Sequence, residues 1–211
     1  MRIAALALVL VAGTLFGCAY TTSSNPAYLA AARRPPPLLV DGKVLVVTTP
    51  QDDAYSFTGS PTSYTGSATT LTLPLGSMIR ETAVAAFADA FKGGADANAT
   101  ILDAERYTVI VAPKLVSYSY EYNQLKNVGF AITPTAVVNV DVRVIGAKGA
   151  TSWQRSYASG PVEGVSYALN MSPQEEISKT TYKAMYNLFS KAASDIAREV
   201  LAKEPPAQAG S

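Results

Sequence analysis

Residues 135–145 read Thr-Ala-Val-Val-Asn-Val-Asp-Val-Arg-Val-Ile, and this stretch decides the fold. Its even positions are all alanine or valine, whereas Asn139, Asp141 and Arg143 occupy odd positions. Side chains alternate between the two faces of a β-strand, so the pattern predicts a strand with one buried and one wet face. A sheet containing such a strand must be covered by another layer on its apolar side.

Three further segments have strand character. Residues 43–49 are β-branched and apolar on both faces, which predicts a strand inside the sheet. Residues 107–122 are strand-like, with an interruption or bend expected near Pro113. Residues 152–158 follow the Gly-Ala-Lys-Gly turn at 146–149 and are predicted to form a hairpin with the alternating strand.

Two amphipathic helices are expected. Between residues 75 and 92 apolar side chains recur at four-residue steps, and the Gly-Gly pair that follows is a stop signal. The sequence Ser-Pro-Gln-Glu at 172–175 is a capping box with proline at the first helical position. The helix that it opens is predicted to run to about Lys203. Its inner stripe should consist of Ile177, Ala184, Met185, Leu188, Phe189, Ala192, Ala193, Ile196 and Val200.

The order of these elements predicts an α+β fold. We expect a two-layer sandwich in which a mixed four- to five-stranded sheet carries the two amphipathic helices on one face. The first strand, first helix and second strand should form a right-handed crossover. Residues 51–72, rich in Ser, Thr, Gly and Tyr, are compatible with a long irregular loop, which is often functional, or with a ragged hairpin.

Cys18 is the only cysteine, and it directly follows an apolar N-terminal stretch. Arg2 supplies a positive region, residues 3–11 an apolar core, and Gly17 a small residue before the cleavage site, as in a signal peptide. Residues 15–18, Leu-Phe-Gly-Cys, resemble the lipobox of bacterial lipoproteins. The resemblance implies that Cys18 is diacylated and that the preceding peptide is removed.

Two alternatives to lipidation were weighed. An uncleaved anchor is disfavoured, because residues 3–17 are shorter than the roughly 18 apolar residues that span a bilayer. A free thiol beside an ordinary secretory cleavage site is the other alternative. Two or three acyl chains anchor a protein stably, which favours lipidation. Ala19 stands where an aspartate would, by resemblance to enterobacterial sorting rules, indicate inner-membrane retention. The expected location is therefore the outer membrane, facing the periplasm.

The sequence predicts four parts along the chain. They are a lipoprotein signal peptide (1–17), a Pro-rich tether (18–41), a periplasmic α+β domain (42–204) and a disordered tail (205–211). Pro-rich chain is extended, so the tether should hold the domain away from the membrane surface.

Composition excludes several kinds of chemistry. Removal of residues 1–17 leaves basic and acidic residues equal in number, because Arg2 is the one charge removed from 17 basic and 16 acidic residues. A nucleic-acid-binding face is therefore not expected. With no histidine and one cysteine, His-based triads and the usual zinc sites are excluded, and we expect no metal and no cofactor. The acidic pairs at 52–53 and 175–176 are interpreted as turn and helix N-terminal residues rather than a catalytic pair.

Tyr118, Tyr120 and Tyr122 fall on one face of their strand, together with Val116. Tyrosine combines a large apolar area with a polar tip. Either a helix or residues 51–72 cover this row, or the three tyrosines form a partner- or lipid-binding surface. The first interpretation is favoured, and the second makes them candidate partner-binding residues.

From residue 118 to 203 a polar aromatic strand, a valine-rich strand, a turn, an aromatic Ser-Tyr strand and a long capped helix follow in order. This pattern resembles small envelope lipoproteins of the YajG-like type and, more distantly, auxiliary lipoproteins of ABC-type lipid transport and of lipopolysaccharide assembly. The resemblance implies a non-catalytic binding or adaptor component of an envelope complex, with an envelope protein as partner, and lipid transport as one such role. A cell-wall-directed hydrolase and a structural envelope protein are the alternatives.

Overall fold

The computed structural model describes residues 18–35, 40–123, 131–146, 151–168 and 172–203. The predicted signal peptide and tail lie outside these residues, as does most of the turn predicted at 146–149. Within the described residues, no helix has the length and apolar character needed to cross a membrane.

The described residues form ten strands and four α-helices, with short 3₁₀ turns at Ala104–Arg106 and Leu201–Lys203. The strands are β1 (Ala19–Thr21), β2 (Val44–Val47), β3 (Phe57–Gly59), β4 (Thr70–Leu73), β5 (Ala95–Asn98), β6 (Val109–Asn123), β7 (Ala131–Ile145), β8 (Thr151–Ala158), β9 (Val162–Glu163) and β10 (Tyr167–Ala168). The helices are α1 (Pro26–Ala32), α2 (Pro50–Asp53), α3 (Leu75–Ala90) and α4 (Pro173–Glu199).

A long antiparallel pair, β6 and β7, is the centre of the main sheet. The even-numbered residues of β7 from Ala136 to Val144 are all buried, as the alternation predicted. β8 pairs with the other edge of β7, which confirms the predicted hairpin partner. β2 is parallel to β6 on one side and to β5 on the other, so the sheet is mixed, also as predicted.

The main sheet is larger than the four to five strands predicted. Seven strands take part, in the order β10-β7-β6-β2-β5, with β8 and β9 also paired to β7. The additional strands β5, β9 and β10 contain only two to four residues each. Segments this short leave little alternation in a sequence, so only their neighbours reveal them.

α3 and α4 contact each other and cover the valine face of the sheet. The predicted inner stripe of α4 is buried from Ile177 to Ile196, because these side chains meet β7 and α3. The capping box at its start is not formed. Ser172 occupies the N-cap position without a side-chain capping bond, and the Glu175 carboxylate pairs with Lys179 at 3.0 Å instead.

A second sheet of three strands, in the order β1-β4-β3, lies over part of the core and was not predicted. β3 and β4 are antiparallel, so residues 51–72 contain the hairpin alternative rather than a long irregular loop. Leu71 and Leu73 of β4 are buried in the same hydrophobic cluster as the helices. β1 joins β4 in parallel and brings the N-terminal segment into the fold.

The tether prediction does not hold for residues 19–35. Besides forming β1, the segment forms α1, which begins at Pro26 with Asn25 as its N-cap and lies against α4. Asn-Pro is a helix start signal as well as a feature of linkers, which explains the error. The folded domain therefore begins directly after Cys18.

Two acidic side chains of α3 hold this segment in place. The Arg33 guanidinium donates to the buried Asp89 carboxylate, with Nε to Oδ2 at 2.9 Å, and the hydroxyl of Tyr186 on α4 donates to the same oxygen at 2.8 Å. About two turns earlier on α3, the Glu81 carboxylate accepts from Ser24 Oγ at 2.6 Å and from the Tyr182 hydroxyl at 3.0 Å. Buried carboxylates are costly without partners, so the segment and α3 stabilise each other.

Arg33→Ala should lower the free energy of unfolding by about 1–3 kcal/mol, because it leaves the Asp89 carboxylate without its cation. Arg34→Ala is the matched control. Among the described residues, the Arg34 guanidinium donates to the backbone carbonyls of Ala31 and Arg33 alone, so we expect a change within about 0.5 kcal/mol. Urea unfolding of both variants measures the difference. Equal effects would contradict the role given to Asp89.

Candidate binding cleft

A cleft opens where β2 leaves the main sheet. β2 pairs with β6 only as far as Val46, which lies opposite Val111 of β6. After β2 ends, the chain turns away from the sheet at Thr48. Thr49 causes this turn, because its hydroxyl oxygen accepts from the Asp52 N–H at 3.1 Å and so caps α2, whose first residue is Pro50. Beyond Val111, the edge of β6 faces α2 and β3 across open space.

The cleft has a volume of about 500 Å³, within the range of ligand pockets. Apolar and aromatic side chains share its lining with polar ones, and the charged groups in it are Asp52 and Lys114. Val116 and Tyr55 stand at its rim with 59% and 47% of their surface exposed. The lining comprises Thr48, Gln51, Asp52, Tyr55, Phe57, Gly76, Ile79, Pro113, Lys114, Leu115, Val116, Ser117 and Tyr118.

An irregularity in β6 shapes the open side of the cleft. The register with β7 shifts between Leu115 and Ser117, which is a β-bulge at Val116. The sequence predicted a bend near Pro113, which is about three residues before the bulge that the structure has at Val116. The bulge also changes which face of the strand each side chain occupies. Val116 is therefore exposed, whereas the alternation predicted that it would share one face with the three tyrosines.

The tyrosine row is covered by the second sheet and by α4, which is the favoured of the two interpretations. Tyr120 and Tyr122 are buried, and the Tyr120 hydroxyl donates to the Gly59 carbonyl oxygen at 3.0 Å. Burial raises the pKa of Tyr120 to about 12. Because both residues are buried, the assignment of Tyr120 and Tyr122 as partner-binding residues does not hold.

Tyr118 differs from the other two tyrosines because it also lines the cleft. Its hydroxyl shares a hydrogen bond of 2.9 Å with Thr181 on α4, and its ring meets that of Phe57 edge-on at 4.8 Å. Burial of the hydroxyl raises the pKa of Tyr118. A rigid aromatic surface is thus presented to the cleft, and the partner-binding role of Tyr118 stays a prediction.

Backbone packing between α2 and α3 forms the inner wall. A Cβ atom at Gly76 would lie 2.0 Å from the Asp52 carbonyl oxygen and 2.5 Å from that of Asp53. The Gly76 N–H donates to the Tyr55 carbonyl at 2.9 Å. Only glycine permits this approach, so Gly76 determines where α2 stands relative to the cleft.

The acidic pairs take part in local structural contacts. Thr49 Oγ1 donates to the Asp52 carboxylate at 2.6 Å, and Asp53 lies 3.2 Å from the Arg80 Nε. The Glu175 and Glu176 carboxylates both pair with Lys179, the second at 2.7 Å. These contacts fit the interpretation of both pairs as turn and helix N-terminal residues.

Cys18 lies away from the cleft, at the other end of the second sheet. It is exposed, and its carbonyl oxygen accepts from the Thr70 N–H at 2.9 Å. Thr70 begins β4, whereas Leu73 at the end of β4 pairs with Phe57 of the cleft. The predicted lipid site and the cleft are therefore at opposite ends of this strand.

Sequence reasoning did not find the cleft. Its signals were the Ser/Thr/Gly/Tyr-rich composition of residues 51–72 and the Thr-Pro pair at 49–50, which ends one strand and opens a helix. Neither signal indicates that β6 continues beyond its neighbour. That mismatch in strand length is what creates the cavity.

No protein-family model and no curated protein matches the chain. Similar solved structures include protein XCC0632 of Xanthomonas campestris, from family DUF330, with 14% identity over 85% of this chain and 95% of that one, and a TM-score of 0.44. A candidate lipoprotein of Caulobacter crescentus has 19% identity over 62% of this chain and 85% of that one, with a TM-score of 0.38. The PelC dodecamer of Paraburkholderia phytofirmans has 13% identity over 75% of this chain and 91% of that one, with a TM-score of 0.36. Similarity this low transfers no function, and the YajG-like resemblance stays a prediction.

Gly76→Ala should destabilise the protein by about 1–3 kcal/mol, because the new methyl group forces α2 away from α3. The sign is diagnostic, since alanine in place of glycine in a helix ordinarily stabilises by about 1 kcal/mol. Ala85→Gly, at a half-buried position of α3, calibrates that ordinary effect. Urea unfolding that shows stabilisation by Gly76→Ala would contradict the close approach.

Proposed function

We propose that this chain is a lipid-anchored lipoprotein of the outer membrane, facing the periplasm, whose domain is a non-catalytic binding or adaptor component of an envelope complex. The open cleft beside β6, lined by apolar, aromatic and polar side chains, is the observation that carries the binding role. Its exposed rim residues, Val116 and Tyr55, are of the kind that mark interaction sites when they border an apolar cavity. Lipid transport is one process in which such an adaptor would serve.

The position of Cys18 supports the anchoring role. It is exposed and directly precedes the first residue of β1, so it is accessible to a modifying enzyme. The lipobox residues at 15–18 supply the chemistry by resemblance. Because no slack separates Cys18 from β1, anchoring would place this end of the domain against the bilayer.

The surface beside Cys18 suits contact with a membrane. The loop between β3 and β4 ends at Thr70, which is bonded to Cys18, and residues 60–69 of this loop carry no charged side chain. Tyr64 stands at its tip, with 95% of its surface exposed. Tyrosine favours the headgroup region of a bilayer, so Tyr64 would add to the contact that the lipid makes.

The cleft then opens at a distance from the membrane. Tyr122 lies beside the loop between β3 and β4, because a Cβ atom at Gly66 in that loop would be 2.9 Å from its ring. Leu115 in the cleft is seven residues earlier on β6, which corresponds to roughly 20 Å of strand. A partner in the periplasm could reach the cleft while the lipid holds the opposite end.

Cys18→Ser is expected to abolish acylation and leave an unprocessed precursor, because a hydroxyl does not replace the thiol in this modification. Radiolabelled palmitate and the mobility of the product measure both effects. The double variant Cys18→Ser/Ser23→Cys is the matched control, since it restores a thiol at an exposed position outside the lipobox. Palmitate incorporation into either variant would refute Cys18 as the lipid site.

Val116→Lys should reduce the recovery of envelope proteins that co-purify with the chain from its own membranes, because it adds a charge to the apolar rim. Leu102→Lys is the matched control. Leu102 is 60% exposed, almost the same as Val116, but does not line the cleft. Neither change should alter the free energy of unfolding by more than about 0.5 kcal/mol. Equal recovery with both variants would contradict the cleft as the binding site.

A further inference from the structure

The edge of β6 that faces the cleft has backbone groups with no strand partner among the described residues. The Ser159 N–H donates to the Val138 carbonyl at 2.9 Å, and the Val138 N–H donates to Ser159 Oγ at 3.0 Å, so both backbone groups of Val138 point away from β6. Tyr118 faces Val138 in the register. In an antiparallel pair opposed residues share their hydrogen-bonding direction, so the N–H and C=O of Tyr118 point away from β7.

Leu115, on the other side of the bulge, has the same orientation. It faces Val140, which lies two residues from Val138 and therefore directs its backbone groups the same way. The edge groups of Leu115 and Tyr118 consequently point into the cleft. Among the described residues, β2 pairs with this edge only up to Val111, and the next contact is the Thr62 N–H on the Tyr120 carbonyl at 2.8 Å.

We propose that this slot binds an extended apolar peptide segment of a partner protein, which adds to β6 as a strand in line with β2. The inference rests on the proposed binding role and names the chemistry of the ligand. A hydrocarbon chain would match the apolar lining but leave the N–H and C=O groups of Leu115 and Tyr118 unpaired. An extended peptide satisfies both requirements, because its backbone pairs with the edge while alternate side chains enter the cavity.

The dimensions and charge of the slot define the segment. The edge from Ala112 to Ser119 is about 20 Å long, which accommodates roughly four to six extended residues. Inward side chains of the peptide would meet Phe57 and Ile79. Lys114 makes no ion pair with any described residue and borders the slot, so an acidic residue in the segment would complement it.

Features of the same edge argue against pairing with a second copy of this chain. Pro113 has no N–H to donate, Val116 is a bulge, and Lys114 places a charge on the edge. Proline, bulges and lysine are the means by which proteins prevent their edge strands from pairing with one another. A separate chain can place an acidic residue beside Lys114, and it needs to pair only at Leu115 and Tyr118, which retain their N–H and C=O groups.

The test uses the chain as purified, in lipid nanodiscs, and a random peptide library displayed on phage. We expect enriched peptides to alternate apolar residues and to carry an acidic one, and the synthetic peptide to slow amide hydrogen exchange at Leu115 and Tyr118. Leu115→Pro should weaken binding about tenfold more than Leu115→Ala, because both remove the side chain but only proline removes the N–H. Equal melting temperatures of the two variants establish that folding is not the cause.

Three results would overturn the inference. They are peptides that bind without protecting the two amides, palmitate that occupies the cleft in competition with the peptide, and self-association that protects the same amides without any peptide. Lys114→Glu offers an independent readout, since it should change the selected residue from acidic to basic. Measuring the peptide on the Cys18→Ser chain as well separates this inference from the anchoring proposal, because strand addition needs no lipid.

Discussion

The antiparallel pairing of β6 with β7 is the constraint on which the rest of the structure depends. The two strands run side by side for most of their length and present a continuous valine and tyrosine face. That face is too large to leave in water, so α3, α4 and the second sheet are needed to cover it. The other strands of the main sheet extend this pair at its edges, and α1 and α2 pack against the helices that cover its apolar side.

The tyrosine side chains of β6 and the valine side chains of β7 are covered in different ways. Valines of β7 need only apolar contact, and α4 supplies it. Tyr118 and Tyr120 also need hydrogen-bond acceptors or donors for their hydroxyls, which Thr181 and the Gly59 carbonyl provide. The second sheet thus explains why a polar aromatic strand can lie inside the core, and it joins the segment after Cys18 to that core through β1.

Unequal strand length links the fold to the proposed function. β6 is much longer than β2, so among the described residues its edge has no strand partner between Val111 and Tyr120. A free edge is a liability in most proteins, yet here it borders an apolar cavity at the end of the domain away from Cys18. The proposed anchoring at one end and the open edge at the other would suit the proposed role of a membrane-bound adaptor.

The sequence by itself determined the features that depend on local periodicity. The alternation of residues 135–145 predicted β7 and its buried face, and the four-residue spacing predicted α3 and α4 with their inner faces, because these patterns arise within a single element. The resemblance of residues 15–18 to a lipobox is likewise a local signal, and the lipidation of Cys18 stays a prediction.

Only the tertiary structure decided whether residues 19–35 form a tether, whether the tyrosine row is buried, and where the cleft lies. Arg33 is held by Asp89, Tyr120 bonds to Gly59, and the end of β2 exposes Leu115. Each of these outcomes depends on a partner more than fifty residues away in the chain, and no local pattern encodes the identity of such a partner. A proline-rich segment, a polar aromatic strand and a Thr-Pro turn therefore acquire their roles only when distant elements meet them.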